Sequence, residues 1–330
     1  MMKLRNWIDI NKLNWNSLSQ NTSIGIINLF KENLNKINWF YLSLNENAYE
    51  LLNDNQHKIN WNLITFNKNE EIMNILANNL NELNYTILSH NSSNSITDYL
   101  IKNPDKINWE YFSLNENDKA IELLKENPDK INWVFLCQNK NKNVIKILEK
   151  NLNKIDWINI TNNSNAINII NKNLDKINWE LLSLNENDKA IEILKENPDK
   201  IDWSYLSQNL NKNAFKLLRE NPTKINWIYI NLNQSDEAIE LLKENPDKID
   251  WKFLSSNIKA IDLLKENPDK INWKEFSKNP GIFTYDYENI KKRNFELNEE
   301  IIIKALHPKR LLKLIEQYGE EEIYKSYFDE

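Results

Sequence analysis

An all-α solenoid of twelve two-helix repeats, ending in a helical C-terminal cap, is the fold this sequence predicts, and three observations carry it. Trp15, Trp39, Trp61, Trp109, Trp133, Trp157, Trp179, Trp203, Trp227, Trp251 and Trp273 follow one another in register at 22 or 24 residues, with Tyr85 filling the one gap. A fixed period in this range marks stacked units that cannot bury their apolar faces alone. Between the aromatics an apolar quartet recurs at helical spacing, and after each aromatic the apolar residues fall at i, i+3 and i+4.

Taken in chain order, residues 1–14 read as an N-terminal cap, 15–279 as the repeat array and 280–330 as the C-terminal cap. In a typical unit Ala120, Ile121, Leu123 and Leu124 form one face of a helix, with Glu122, Lys125 and Glu126 on the other. The quartet returns as Ala190, Ile191, Ile193, Leu194, as Ala238, Ile239, Leu241, Leu242, and as Ala260, Ile261, Leu263, Leu264. Asn127-Pro128 ends the helix: the residue before proline leaves the α region, asparagine tolerates the left-handed conformation, and proline cannot continue the ladder. Pro-Asp-Lys then turns the chain. Asn132 is placed to cap a second helix led by Trp133, with Ile131 and Leu136 as a hydrophobic staple. This element spans only about two turns and needs its neighbours for order. The tryptophans are expected to form one continuous buried column.

Two asparagine columns run in register. One lies six residues after the aromatic, from Asn45, Asn67 and Asn91 to Asn257 and Asn279; the other six before it, from Asn33 and Asn55 to Asn245 and Asn267. Composition bias explains asparagine's frequency but not its register, so the columns are expected to cap helices and bond the turns of neighbouring units. The 22-residue units omit two residues of the loop after the first column, as Asn257-Ile258-Lys259-Ala260 does. A leucine-rich-repeat horseshoe is the rival fold, with Ile-x-Trp as a short strand; the cap before each tryptophan and the helical spacing after it argue otherwise. An advance of about 8–10 Å per unit gives an open curved rod on the order of 100 Å long. Ile282, Phe283, Tyr285, Leu311, Leu312 and Ile315 are the residues expected to dock the cap on its end.

Asn127-Pro128-Asp129-Lys130-Ile131-Asn132-Trp133, the recurring Leu-Ser-x-Asn, and the ending Asn279-Pro280-Gly281-Ile282-Phe283-Thr284-Tyr285-Asp286-Tyr287 with His307-Pro308-Lys309-Arg310-Leu311 cover nearly the whole chain. Together they resemble the Asn- and Trp-rich repeat proteins encoded by giant, mimivirus-like DNA viruses of protists. One departure is the loop, where that family often has Asn-Pro-Asn-Ala-Ile and this chain has Asn115-Glu116-Asn117-Asp118-Lys119-Ala120-Ile121. The resemblance implies a viral origin and an intracellular setting, host cytoplasm or virion. It carries over no activity.

Composition points away from several function classes. A net charge of −6 and a pI near 5.4 disfavour a nucleic-acid binder. A lone cysteine, Cys137, allows no internal disulfide. No stretch reaches 18 apolar residues, so no membrane association is expected. His57, His90 and His307 lack partners at metal-ligand spacing, and Gly25, Gly281 and Gly319 form no phosphate cradle. Cys137 stands in a column otherwise held by Ser113, Ser183, Ser207, Ser255 and Ser277, which reads as packing rather than nucleophile. Glu299-Glu300 and Glu320-Glu321-Glu322 read as solvated helix faces, and His307-Pro308-Lys309-Arg310 as a helix start. No cofactor is expected. The Lys column from Lys106 to Lys270 runs beside Asp105, Asp129, Asp175, Asp199, Asp247 and Asp269, which nearly cancel it as a phosphate stripe.

Solenoids bind through rows of equivalent positions. Two residues after the aromatic stand Tyr41, Leu63, Ile87, Tyr111, Phe135, Leu181, Tyr205, Tyr229 and Phe253. Tyr111, Phe135, Tyr205, Tyr229 and Phe253 are the candidate partner-binding residues, since aromatics concentrate in interface hot spots; the alternative is that the column packs between units as core. The function expected is non-enzymatic protein–protein interaction or scaffolding, with nucleic-acid binding, or an enzyme site in the C-terminal segment, as alternatives.

Overall fold

Each aromatic in the register begins a short helix, and the residue before it is its cap. In the computed structural model, which describes residues 2–318, twelve such helices occur, from Trp15–Leu18 to Trp273–Phe276. Gly319 and the run Glu320-Glu321-Glu322 lie outside the described residues. Asn132 has extended backbone and its side chain accepts the amide of Phe135; Asp156, Asp202 and Asp250 do the same where aspartate replaces asparagine. Eleven further helices alternate with these, mostly longer and alanine-led, such as Asp118–Glu126 and Asp188–Glu196. The only strands among the described residues are Met2–Leu4 and Phe283–Tyr285, so no unit contributes one and the horseshoe is excluded.

Helix termination differs in mechanism from the expectation. Asn127 is not left-handed: its φ is −127° and its carboxamide donates to the carbonyl of Leu123, one turn back, at 2.8 Å. Asn151, Asn197, Asn221 and Asn245 repeat this bond. A donor side chain satisfies an orphan carbonyl that the backbone N–H of a left-handed residue would otherwise have bonded. Pro-Asp-Lys forms one turn of 3₁₀ helix. In the 22-residue units the first turn of the following helix is also 3₁₀, as over Glu46–Ala48, Ser164–Ala166 and Ile258–Ala260. In 24-residue units the loop's Asn117 or Asn187 instead caps a full nine-residue helix, so that loop is a capping device.

The core is aliphatic. Leu18, Leu42, Ile64, Leu88, Phe112, Leu136, Ile160, Leu182, Leu206, Ile230, Leu254 and Phe276, three residues after the aromatic, have no solvent exposure, as do Ala120, Ile121 and Leu124. The tryptophans themselves are half-buried, which corrects the expected buried column. A helix of four to six residues turns only one side fully inward, and the +3 residue takes it. One ring face is left for the next unit's lysine ammonium: Lys154 Nζ lies over Trp133 at 4.8 Å, Lys176 over Trp157 at 5.0 Å and Lys224 over Trp203 at 4.8 Å.

Residues 6–282 form one unit, and it is not the open rod expected from the sequence: its last repeat stacks on its first. The backbone N–H of Asn14 donates to Ser277 Oγ at 2.8 Å, the Asn21 carboxamide donates to the carbonyls of Ser277 and Asn279 at 3.1 and 2.9 Å, and Lys12 sits over Trp273 at 5.1 Å. These are the same contacts that Asn132, Asn139 and Lys154 make to their own preceding or facing units. The twelve repeats therefore close into a ring. The last repeat's open face is covered by the first, so the ring needs no separate docking segment there. The twelfth alanine-led helix is absent, and residues flanking the array stand at the joint. Trp7 packs on Phe276 with centroids 5.7 Å apart, Ile8 and Ile282 are buried, and Gly281 lies so close to Ile261 that a Cβ would meet its Cγ1 at 2.4 Å. Glycine is required by that approach.

Residues 1–5 and those from 283 onward form the other unit. The division thus falls elsewhere than the three segments read from the sequence, because Met2–Leu4 pairs antiparallel with Phe283–Tyr285, Lys3 facing Thr284. Lys3 reaches Asp286 at 3.1 Å, and Asp286 in turn accepts the Asn289 amide to start helix Tyr287–Ala305. His307 begins the last helix, Pro308–Tyr318, its Nδ1 accepting the Lys309 amide at 3.3 Å, as the helix-start reading expects. Of the residues expected to dock a cap, Ile282 and Phe283 are buried, whereas Tyr285 and Leu312 are 55% and 60% exposed.

Candidate interaction surface

The columns of the ring sort into structural and surface rows by their bonds. The asparagine row after the aromatic is wholly structural. Asn139 is buried; its carboxamide donates to the carbonyls of Ser113 and Asn115 in the preceding unit at 3.0 Å each, and its Oδ1 accepts the Asn141 amide at 2.9 Å. Asn91, Asn115, Asn163 and Asn209 repeat the pattern, and Asn21 carries it across the joint. Asparagine's short-stemmed carboxamide offers two N–H donors and a separate carbonyl acceptor, which these three bonds use in full. The serine row is structural too. Ser113 Oγ donates to the Trp109 carbonyl and accepts the Asn132 amide of the next unit at 3.0 Å each. Cys137 holds that position in its unit, fully buried; burial pushes its thiol up to about 11, and the Asp156 amide donates to it. A thiol so protonated is a packing residue.

The row two residues after the aromatic is neither core nor open surface. Phe135, Tyr205, Tyr229 and Phe253 are half-buried and Tyr111 is 36% exposed. Tyr111 and Phe135, in adjacent units, meet with centroids 5.4 Å apart. The structure therefore sets the candidate residues in one row around the ring, each with part of its ring open. The neighbouring position, one residue after the aromatic, is more open still: Phe40, Ile158 and Ile228 are 51%, 59% and 60% exposed. Sequence reading passed over this row because its residues vary from unit to unit (Asn16, Phe40, Glu110, Val134, Lys252) and give no periodic signal.

Where tyrosine replaces tryptophan, its hydroxyl is built in. Tyr85 Oη donates to the Leu80 carbonyl at 3.3 Å, which leaves Tyr99 to donate to it at 3.2 Å; burial and that bond push Tyr99 up to about 12. Asp118 and Asp188 are held below the ordinary carboxylate range by carboxamide donors, Asn141 with Asn143 and Asn211 with Asn213, which lace neighbouring units together. Among the described residues no three or more His, Cys, Asp or Glu converge as a metal would require, and no helix is long and apolar enough to cross a membrane. No family model, curated protein or solved structure matches this chain.

Proposed function

We propose that this protein is a non-enzymatic interaction or scaffold protein that binds a protein partner along the ring's aromatic rim. The observation that carries the reading is the half-open row Tyr111, Phe135, Tyr205, Tyr229 and Phe253, interrupted by Asn159 and Leu181, beside the exposed Phe40, Ile158 and Ile228. Partly exposed aromatics with fixed backbones suit hot spots, because little conformational entropy is lost on binding. Ring closure supports it further: a closed array holds its row at fixed curvature, so one partner can meet several equivalent side chains at once. The resemblance to giant-virus repeat proteins supports an origin in such a virus, acting in infected cytoplasm or in the particle.

The test compares capture from infected cells by the unmodified protein and by the triple variant Tyr205→Gln, Tyr229→Gln, Phe253→Gln. Loss of specific partners, with helical circular dichroism and melting retained, is the expected result. Tyr111→Gln, at the most open member of the row, is the variant to use should the triple change disturb folding. Capture of the same partners by both variants would sink the reading.

A further inference from the structure

The grooves between successive alanine-led helices are alike in construction but not in charge. One, lined by Asp188, Glu192 and Glu220 against Lys195 and Lys216, encloses about 240 Å³ and mixes both signs. The groove between helices Asp118–Glu126 and Lys142–Glu149 is larger, about 350 Å³, and every charged residue lining it is a lysine: Lys125, Lys146 and Lys150. Its remaining wall is Pro128, Ile131, Trp133, Ile147 and Asn151.

Only this repeat carries lysine at both positions. At the position of Lys146 other units carry Glu122, Glu192, Glu240, Asp98 and Asp262, and one carries Lys216; at the position of Lys150 they carry Glu126, Glu196, Glu220, Glu244 and Glu266, and two carry Lys102 and Lys172. Helix stability does not require the change, since the sibling helices fold with the opposite sign. Lys125 donates to Glu122 at 2.6 Å, whereas neither Lys146 nor Lys150 has an ion pair among the described residues. Two unpaired ammonium groups, Lys146 and Lys150, with Lys125 beside them over an apolar floor, in a cavity at the lower end of the ligand-pocket range (about 300–1,000 Å³), suit a compact ligand with an anionic and an apolar part. Lysine is a point-charge binder of phosphate, with no demand for a fixed fork geometry.

From this we infer that the groove between Asp118–Glu126 and Lys142–Glu149 is a binding site for a small organic phosphate, its phosphates on Lys125, Lys146 and Lys150 and its ring or apolar portion against Trp133, Ile131 and Ile147. The site is separate from the aromatic rim and does not depend on it.

ATP and inorganic triphosphate are the probes, titrated calorimetrically into the full chain at two ionic strengths. The site predicts that ATP binds, that raised salt weakens it, and that triphosphate binds more weakly than ATP because it leaves the apolar wall uncovered. Lys146→Glu with Lys150→Glu restores the charges of the sibling repeats, so the fold is preserved, and it should weaken ATP at least tenfold. Lys216→Glu, in the mixed-charge groove, should leave it unchanged. Failure of ATP to bind, or equal weakening by Lys216→Glu, would overturn the site. Triphosphate binding as tightly as ATP would overturn the role given to Trp133 and the isoleucines.

Discussion

Two junctions of the ring invite comparison: an interior one, between the units of Trp109 and Trp133, and the closing one, between those of Trp273 and Trp15. In both, a capping residue's amide meets a serine hydroxyl and an asparagine carboxamide bridges two carbonyls, and at the closing one Lys12 covers Trp273 as Lys154 covers Trp133 one unit further along. The difference is covalent. At the interior junction a complete helix, Asp118–Glu126, links the units; at the closing one no helix intervenes, and Trp7, Ile8, Gly281 and Ile282 stand there. Stacking in this ring is thus carried by side-chain bonds that do not need chain continuity. The closing joint keeps those bonds and loses only the helix, which makes it the seam.

The largest expected effect is at that seam. Removing residues 1–8 takes away Trp7 and Ile8, and should open the ring, measured as an increased radius of gyration in small-angle scattering with little loss of helical content. A protein of unchanged dimensions would show that the ladders alone hold the joint. Next comes Asn139→Ala, which strips bonds from two buried carbonyls and an amide and should cost about 3 kcal/mol in urea unfolding. Asn21→Ala loses the equivalent bonds at the seam, where local opening relieves the penalty, so its cost should be smaller; equal costs would erase the distinction between the junctions. Gly281→Ala forces its Cβ against Ile261 and should destabilise the seam by about 1–3 kcal/mol, read as a lower melting temperature.

Smaller effects sharpen the picture. Lys154→Ala and Lys12→Ala should each cost about 0.5–1 kcal/mol, since both lysines cover a tryptophan and differ only in which junction they serve. The Lys3 ammonium beside Asp286 holds its carboxyl below the ordinary range. Its contribution to the Met2–Leu4 and Phe283–Tyr285 pair is complete above the ordinary carboxylate range and is lost as pH falls through the depressed value. The protection of these amides, measured against their intrinsic exchange rate at each pH, should therefore fall on acidification, and Asp286→Asn should abolish that fall.

The fold was legible because its determinants are local and repeated. Asn132 before Trp133, the quartet Ala120 to Leu124, and the columns of Asn139 and Ser113 each state a capping or packing need that any unit can meet with its neighbour. Burial of the tryptophans was misjudged, because hydrophobicity favours Trp133 inside while a two-turn helix has room only for Leu136. The candidate rim was half legible: register placed Tyr111, Phe135, Tyr205, Tyr229 and Phe253 in one row, but how much of each ring is open depends on stacking distance. One sign of closure was present in the sequence. Asn21 stands six residues after Trp15 as a full member of the asparagine column, and the carbonyls it bonds, of Ser277 and Asn279, belong to the twelfth unit.

By itself, then, the sequence determined what each unit is: its helices, its caps and the bonds it offers to either side, since these depend on residues at most a few positions apart. Only the tertiary structure decided what the units make together. Whether Asn21 finds solvent or the carbonyl of Asn279 depends on the small rotation between successive units, summed around the array. No single residue encodes that rotation; it follows from the packing of every core side chain against the next, and it closes the ring because the last unit meets the first at bonding distance.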